Sequence, residues 1–323
     1  MSSVMTSLHF VTVFVTLFFN LFKRRVWIRH GTSDKQFLLI GGFAEPVEMW
    51  SWMLKEVIGQ DDTVIVMERR FTEKGRWGWW PIGWTPLWFQ RWEVRSIFHQ
   101  LKTMGIVHRG VTVIGHSLGG LLAADLALAF PQTVGDTHII AFPDKWGTLF
   151  HGKFWKGLGL PGLGRALLGT ILPFIGMEVP PSTVRGLFTR PFTKVEEVYG
   201  FHRQLVIDSP IVFYALVFWY GLLGRNRILR AQDKGWLGRV TYYICPEDAI
   251  FRARDIVSVY QRTDGHLVEL AAGTPHCFWF AEGTSIGENA RRLRAAIYKP
   301  NVTVPLFRHS EPQTCTGDRI SGE

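Results

Sequence analysis

Short apolar runs alternate with longer helical stretches through most of this chain. The runs at 37–40, 63–67, 111–114, 137–142, 239–245 and 266–271 read as strands. The stretches at about 91–104, 118–130, 251–262 and 285–297 read as helices. Strand followed by helix, repeated in this way, predicts an α/β fold with a mostly parallel sheet and helices on both faces. The chain has 323 residues, a length at which such folds commonly form one core.

Two segments break the rhythm. Residues 144–238 are first rich in Gly and Pro, then apolar from Ala166 to Ile175, then basic, then apolar again from Ile211 to Leu223. At the other end, Leu8 to Phe22 is almost wholly apolar, carries no charge and is followed by Lys23-Arg24-Arg25. The expected organisation is a hydrophobic N-terminal anchor over 1–30, a core built from 31–143 and 239–305, an insertion at 144–238 and a disordered tail at 306–323.

The densest chemical signal lies at Gly115-His116-Ser117-Leu118-Gly119-Gly120, between the apolar run Val111, Val113, Ile114 and the helical run from Leu121. A G-x-S-x-G pattern placed between strand and helix describes a sharp turn that exposes a serine hydroxyl above the sheet. A β-carbon at Gly115 or Gly119 would clash with the neighbouring backbone. The helix that follows aims free N–H groups and its positive dipole end at the place where an oxyanion forms.

A nucleophilic serine needs a base and an acid, and both follow downstream. Arg239 to Cys245 has the composition of a buried strand and ends in Pro246-Glu247-Asp248. A helix, a second strand at His266–Ala271 and the loop Gly273-Thr274-Pro275-His276 come next. Strand, Asp248, helix, strand, His276 resembles the last third of an α/β-hydrolase-fold serine esterase or lipase, whose triad runs in the order Ser, acid, His. The resemblance covers about Gln36 to Tyr298. It implies an α/β-hydrolase fold with a helical cap at 144–238, Ser117 as nucleophile, His276 as base and Asp248 as acid. Asp144, after the preceding strand, is the other position some family members use for the acid, and Glu247 adjoins Asp248. Gly41-Gly42-Phe43-Ala44 is similar to the family's His-Gly-Phe loop, with Gly41 where His is usual. By that likeness the N–H of Phe43, or of Ala44, joins the N–H of Leu118 in an oxyanion hole.

Charge and aromatic content add expectations about surroundings. The formal net charge is +9, which fits anionic membrane surfaces, and no nucleic-acid recognition motif accompanies it. With the N-terminal run, this predicts a membrane-associated protein whose catalytic domain faces the cytosol. Trp77, Trp79, Trp80, Trp84, Trp88 and Trp92 suit either a membrane interface or the wall of a pocket, with Trp88 and Trp92 one turn apart at a helix start. The apolar insert reads equally as a lid that binds acyl chains and touches lipid, or as one that packs on the domain.

Three dispersed cysteines, Cys245, Cys277 and Cys315, argue against a disulfide framework. Cys277 adjoins His276 and is expected to pack. No metal-ligand spacing, Walker sequence or dinucleotide fingerprint is present, so no cofactor and no metal is expected. The expected activity is hydrolysis of carboxylic esters of apolar acyl groups through an acyl-enzyme. A thioesterase or acyltransferase would use the same residues, and a non-catalytic binding protein is the reading from another class.

Overall fold

The computed structural model describes residues 15–16, 23–24, 26–45, 47–67, 86–142, 152–171, 179–189, 193–205, 212–213, 227–263, 265–281 and 283–299. In chain order the strands are β1 (Val15–Thr16), β2 (Lys23–Arg24), β3 (Val26–Arg29), β4 (Gln36–Ile40), β5 (Thr63–Met67), β6 (Val111–His116), β7 (Val134–Ile140), β8 (Val240–Ile244) and β9 (Gly265–Glu269). The helices are α1 (Trp50–Glu56), α2 (Leu87–Thr103), α3 (Leu118–Ala129), α4 (Gly152–Ile171), α5 (Pro181–Leu187), α6 (Val195–Gln204), α7 (Arg227–Asp233), α8 (Ala253–Tyr260) and α9 (Thr284–Tyr298).

Strands β3 to β9 form one seven-stranded sheet in the order β3-β5-β4-β6-β7-β8-β9. Within it only the β3–β5 pairing is antiparallel. All five residues of β4 and of β8 are buried, as expected for strands covered on both faces. Two apolar clusters fill the two sides of the sheet, one built around α2, α3 and α8 and the other around α1 and α9. The chain leaves β4 toward β5 on one side and returns to β6 on the other. The crevice outside the carboxyl ends of β4 and β6 is therefore a topological switch point, where open α/β sheets bind their ligands.

Helix α3 runs through the interior. Residues Leu118 to Leu128 are all buried, and every one is apolar or Gly except Asp125. That lone carboxylate is ion-paired to Arg91 at 2.5 Å and Arg95 at 2.6 Å, both on α2, and to Arg227 of α7 at 3.3 Å. Burial of a carboxylate this deep is tolerable only with such pairing. The cluster pins the helix that begins at Ser117 to both of its neighbours.

Between β7 and β8 the insert contributes α4 to α7. Helix α4 holds Pro161 and a non-helical Gly159 (φ 58°, ψ 179°), so it is kinked there. Its outer side exposes Leu160, Leu163, Leu167 and Ile171. Trp88 and Trp92 do begin a helix, α2, but at 66% and 47% exposure they stand at its surface rather than in the core. Trp77, Trp79, Trp80 and Trp84, most of the apolar run 211–223, Cys315 and the tail at 306–323 lie outside the described residues.

The N-terminal expectation needs correction. Among the described residues no helix is long and apolar enough to cross a membrane. Where an anchoring helix was expected, Val15–Thr16 and Lys23–Arg24 pair instead as short antiparallel strands. Residues 26–29, grouped with the anchor by hydropathy, form the antiparallel edge of the main sheet. The run from Val11 to Thr16 is made of β-branched and aromatic residues, a composition that favours strand pairing, and the whole apolar stretch is short of a full span. The membrane-associated, cytosol-facing location drawn from it loses its structural basis. The rest of residues 1–25 lies outside the described residues.

Candidate active site

Ser117 stands between β6 and α3 with φ 51° and ψ −123°, a region that non-glycine residues rarely occupy. Its surroundings hold it there. The Ser117 N–H donates to Ile140 O at 2.9 Å, and Gly120 N–H donates to Ser117 O at 2.8 Å. Only glycine fits the flanking positions: a β-carbon on Gly115 would lie 2.1 Å from Gly119 O, and one on Gly119 would lie 2.0 Å from Ile40 O. The same close approach brings the start of α3 against the end of β4, and so against the Gly41–Ala44 loop.

His276 and Asp248 arrive on two loops at the carboxyl ends of β9 and β8, joined by the Glu247 N–H to Thr274 O bond at 3.0 Å. Thr274 is fixed in turn by its hydroxyl, which donates to Ala271 O at 2.6 Å, and by Asn289 of α9, whose side-chain amide donates to Thr274 Oγ1 at 2.9 Å. The structure brings Asp248 Oδ2 to 2.8 Å from His276 Nδ1, with both side chains buried. Asp248 Oδ1 accepts the N–H groups of Ile250 (2.7 Å) and Phe251 (3.0 Å), which fixes the carboxylate's orientation. Glu247 is exposed, and Asp144 lies outside the described residues. His276 Nε2 is buried without a hydrogen-bond partner among the described residues. Ser117 Oγ is thus not yet bonded to it, which is common before substrate arrives.

Leu118 opens α3, so its N–H has no intrahelical acceptor. Phe43 lies in the turn closed by Glu45 N–H to Gly42 O, and Ala44 beside it takes φ 56°. A β-carbon on Gly42 would sit 2.7 Å from Ser117 Cβ, so this turn passes directly against the serine. The Gly41–Ala44 turn and the first residue of α3 thus both border Ser117.

Two site residues carry no signal in the sequence. Glu45, completely buried, accepts the Gly42 N–H on Oε2 and places Oε1 2.6 Å from His116 Nδ1, off the direction of a ring N–H, as an ion pair. His116 Nε2 donates to the backbone carbonyl of His276 at 2.9 Å. Burial alone would push the His116 pKa down, but the Glu45 carboxylate, the His276 carbonyl and the charge of Asp248 together leave it raised. His116 is visible along the chain only as the variable residue of G-x-S-x-G, and Glu45 only as the residue after the Gly-Phe-Ala loop.

Cys277 packs beside them, its thiol 4.0 Å from Glu45 Oε1. Burial, helped by the charges of Glu45 and Asp248, pushes its pKa well up, so it stays a thiol. Its backbone N–H donates to Phe188 O of the insert at 3.1 Å. Phe188 and Phe251 flank the His276 ring at 5.8 and 5.7 Å between centroids, and Phe213 packs on Phe43 at 6.1 Å. The insert therefore supplies aromatic surface directly around His276 and the Gly41–Ala44 loop. A separate cleft of about 840 Å³ lies between α4, α5 and α6 and the turn at Glu247 and Ala249, and Ser117 is not part of its wall.

No family model and no curated protein matches the chain. Solved structures do. An α/β hydrolase from Novosphingobium aromaticivorans superposes with a TM-score of 0.58 at 17% identity, covering 84% of this chain and 93% of its own. A structure from work on carboxylesterases of the ammonia-oxidizing thaumarchaeon Nitrososphaera gargenis gives 0.57 at 15% identity, with 79% and 87% covered. The thioesterase domain from the curacin biosynthetic pathway gives 0.56 at 13% identity, with 84% and 95% covered. Sheet order, elbow and neighbours agree, and the chain has the fold of the α/β-hydrolase superfamily.

Proposed function

We propose that this protein is a serine hydrolase that cleaves carboxylic esters of apolar acyl groups. The observations that carry the reading are the Asp248–His276 contact at 2.8 Å and a serine held at positive φ on a strand-to-helix turn. In the proposed cycle His276 Nε2 takes the Ser117 proton as Oγ attacks the ester carbonyl. Asp248 keeps the other ring proton on Nδ1 and stabilises the imidazolium. The N–H groups of Phe43 and Leu118 receive the oxyanion, His276 returns its proton to the leaving alcohol, and water then releases the acyl group by the same route. The aromatic side chains of Phe43, Phe188, Phe213 and Phe251 support an apolar acyl moiety.

The test is labelling with a fluorophosphonate probe, paired with turnover of p-nitrophenyl esters and matched thioesters of increasing chain length. Labelling of the wild type, its loss in Ser117→Ala, and turnover of the oxyesters are expected. Ser117→Ala lowers turnover by about three orders of magnitude or more, because the serine acts as a unit with its base. An unlabelled wild type would sink the reading in favour of a binding protein. Exclusive turnover of thioesters would move the substrate class.

A further inference from the structure

His116 Nδ1 and His276 Nε2 are both buried and both lack an aligned hydrogen-bond partner. They belong to one cluster. One donor atom from each of Glu45, His116 and His276 lies within 4.8 Å of the others, and all three residues are buried. The far side of every member is already held. His276 Nδ1 donates to Asp248 at 2.8 Å, His116 Nε2 donates to the His276 carbonyl at 2.9 Å, and Glu45 Oε2 accepts the Gly42 N–H. The remaining donor atoms are His276 Nε2 and the mutually paired His116 Nδ1 and Glu45 Oε1, 2.6 Å apart.

This is the outer architecture of a metal site. Ligating imidazoles donate their second N–H to a carboxylate or a backbone carbonyl, which fixes tautomer and ring direction. Two imidazoles and one carboxylate, with the fourth position open, form a familiar donor set for Zn²⁺. Two carboxylates, Glu45 directly and Asp248 through His276, balance a dication.

We propose that Glu45, His116 and His276 bind a divalent first-row transition cation, with Zn²⁺ as the reference case, and that occupancy switches the enzyme off reversibly. The cation takes the lone pair on His276 Nε2 that must otherwise accept the Ser117 proton, and it displaces to solvent the proton that the ion pair with Glu45 keeps on His116 Nδ1. Inhibition rests on the proposed hydrolase reading, whereas binding does not. Tetrahedral coordination at about 2.1 Å sets ligand atoms about 3.4 Å apart, so the 2.6 Å Glu45–His116 contact opens by about 0.8 Å and the widest separation, within 4.8 Å, closes by up to about 1.4 Å. Nitrogen and carboxylate ligands in this number favour Zn²⁺, Cu²⁺ or Co²⁺ over Mg²⁺ and Ca²⁺. The three residues come from separate loops and strands, so no local spacing motif announces them.

The experiment uses the full chain stripped with EDTA. Equilibrium dialysis against Zn²⁺ counts bound metal, the visible spectrum of Co²⁺ reports its geometry, and ester turnover is followed in parallel. About one Zn²⁺ per chain, a tetrahedral Co²⁺ spectrum, and activity lost with Zn²⁺ and restored by EDTA are expected, with no effect of Mg²⁺. Glu45→Gln and His116→Gln, each checked for native circular dichroism, weaken binding about tenfold or more. Ser117→Ala binds the metal like wild type, which separates the site from the hydrolase reading: metal bound without ester turnover overturns that reading alone. An active wild type that takes up no Zn²⁺, or uptake unchanged by both cluster substitutions, overturns the site.

Discussion

Asp248→Asn is the most discriminating substitution at this site, because the surrounding hydrogen bonds dictate which way the new amide turns. Oδ1 accepts two backbone N–H groups, from Ile250 at 2.7 Å and Phe251 at 3.0 Å. An asparagine keeps its carbonyl oxygen there, since turning the NH₂ toward two donors would forfeit both bonds at about 1–3 kcal/mol each. Its NH₂ then occupies the Oδ2 position, 2.8 Å from His276 Nδ1, and donates to that nitrogen. The ring proton is forced onto Nε2, the atom that must accept from Ser117. The base is thereby present, correctly placed and in the wrong tautomer. The expected loss in turnover is about 10⁴-fold, equivalent to about 5 kcal/mol of barrier. The assay is kcat and KM on a soluble p-nitrophenyl ester, with circular dichroism to show an unchanged fold. KM should move little, since the carboxylate does not touch substrate. A variant within tenfold of wild-type kcat would refute the argument, and with it the assignment of Asp248 as the acid.

Two further outcomes follow from buried charge away from the reacting atoms. Asp125→Ala leaves Arg91, Arg95 and Arg227 around an empty position and should destabilise the fold by about 3–5 kcal/mol in denaturant titration; a change below about 1 kcal/mol would show that the cluster does not pin α3. His138 is fully buried, shares a hydrogen bond between its Nδ1 and the Tyr243 hydroxyl at 2.8 Å, and has its pKa lowered to about 4, chiefly by burial. The unfolded chain therefore binds a proton that the folded chain refuses between about pH 6.5 and 4, so stability is lost as pH drops through that window, by up to about 3 kcal/mol. His138→Gln should flatten that part of the stability–pH curve, and an unchanged slope would contradict the assignment.

Much of this arrangement can be read along the chain because its causes are local. Ser117 announces itself through Gly115 and Gly119, whose missing side chains are required by backbone a few residues away or at the adjacent strand end. Strands β4 and β5 are legible as short apolar runs, since burial on both faces depletes polar residues in them. Strand β3 is hidden because Val26–Arg29 follows an apolar run of ambiguous period, and its pairing with β5 is a long-range event. Helix α1 is hidden behind the Gly41–Ala44 loop, with no capping side chain to mark its start. Glu45 and His116 escape for a similar reason. Their role comes from the meeting of two loops with the end of strand β6, and nothing in the spacing of residues 45, 116 and 276 encodes that meeting.

The bond from the Cys277 N–H to Phe188 O at 3.1 Å has a mechanical consequence. It ties the insert by main chain to the residue immediately after His276, while the Phe188 ring leans on the imidazole itself. Any outward swing of α5 that admits a bulky molecule must break this bond, at a net cost of about 1 kcal/mol, and remove one wall from around the base. In the proposed mechanism, displacement of Phe188 and the setting of the His276 imidazole are thereby coupled. Under the proposed mechanism, a substitution that weakens the Cys277–Phe188 bond therefore reaches the proposed base as well.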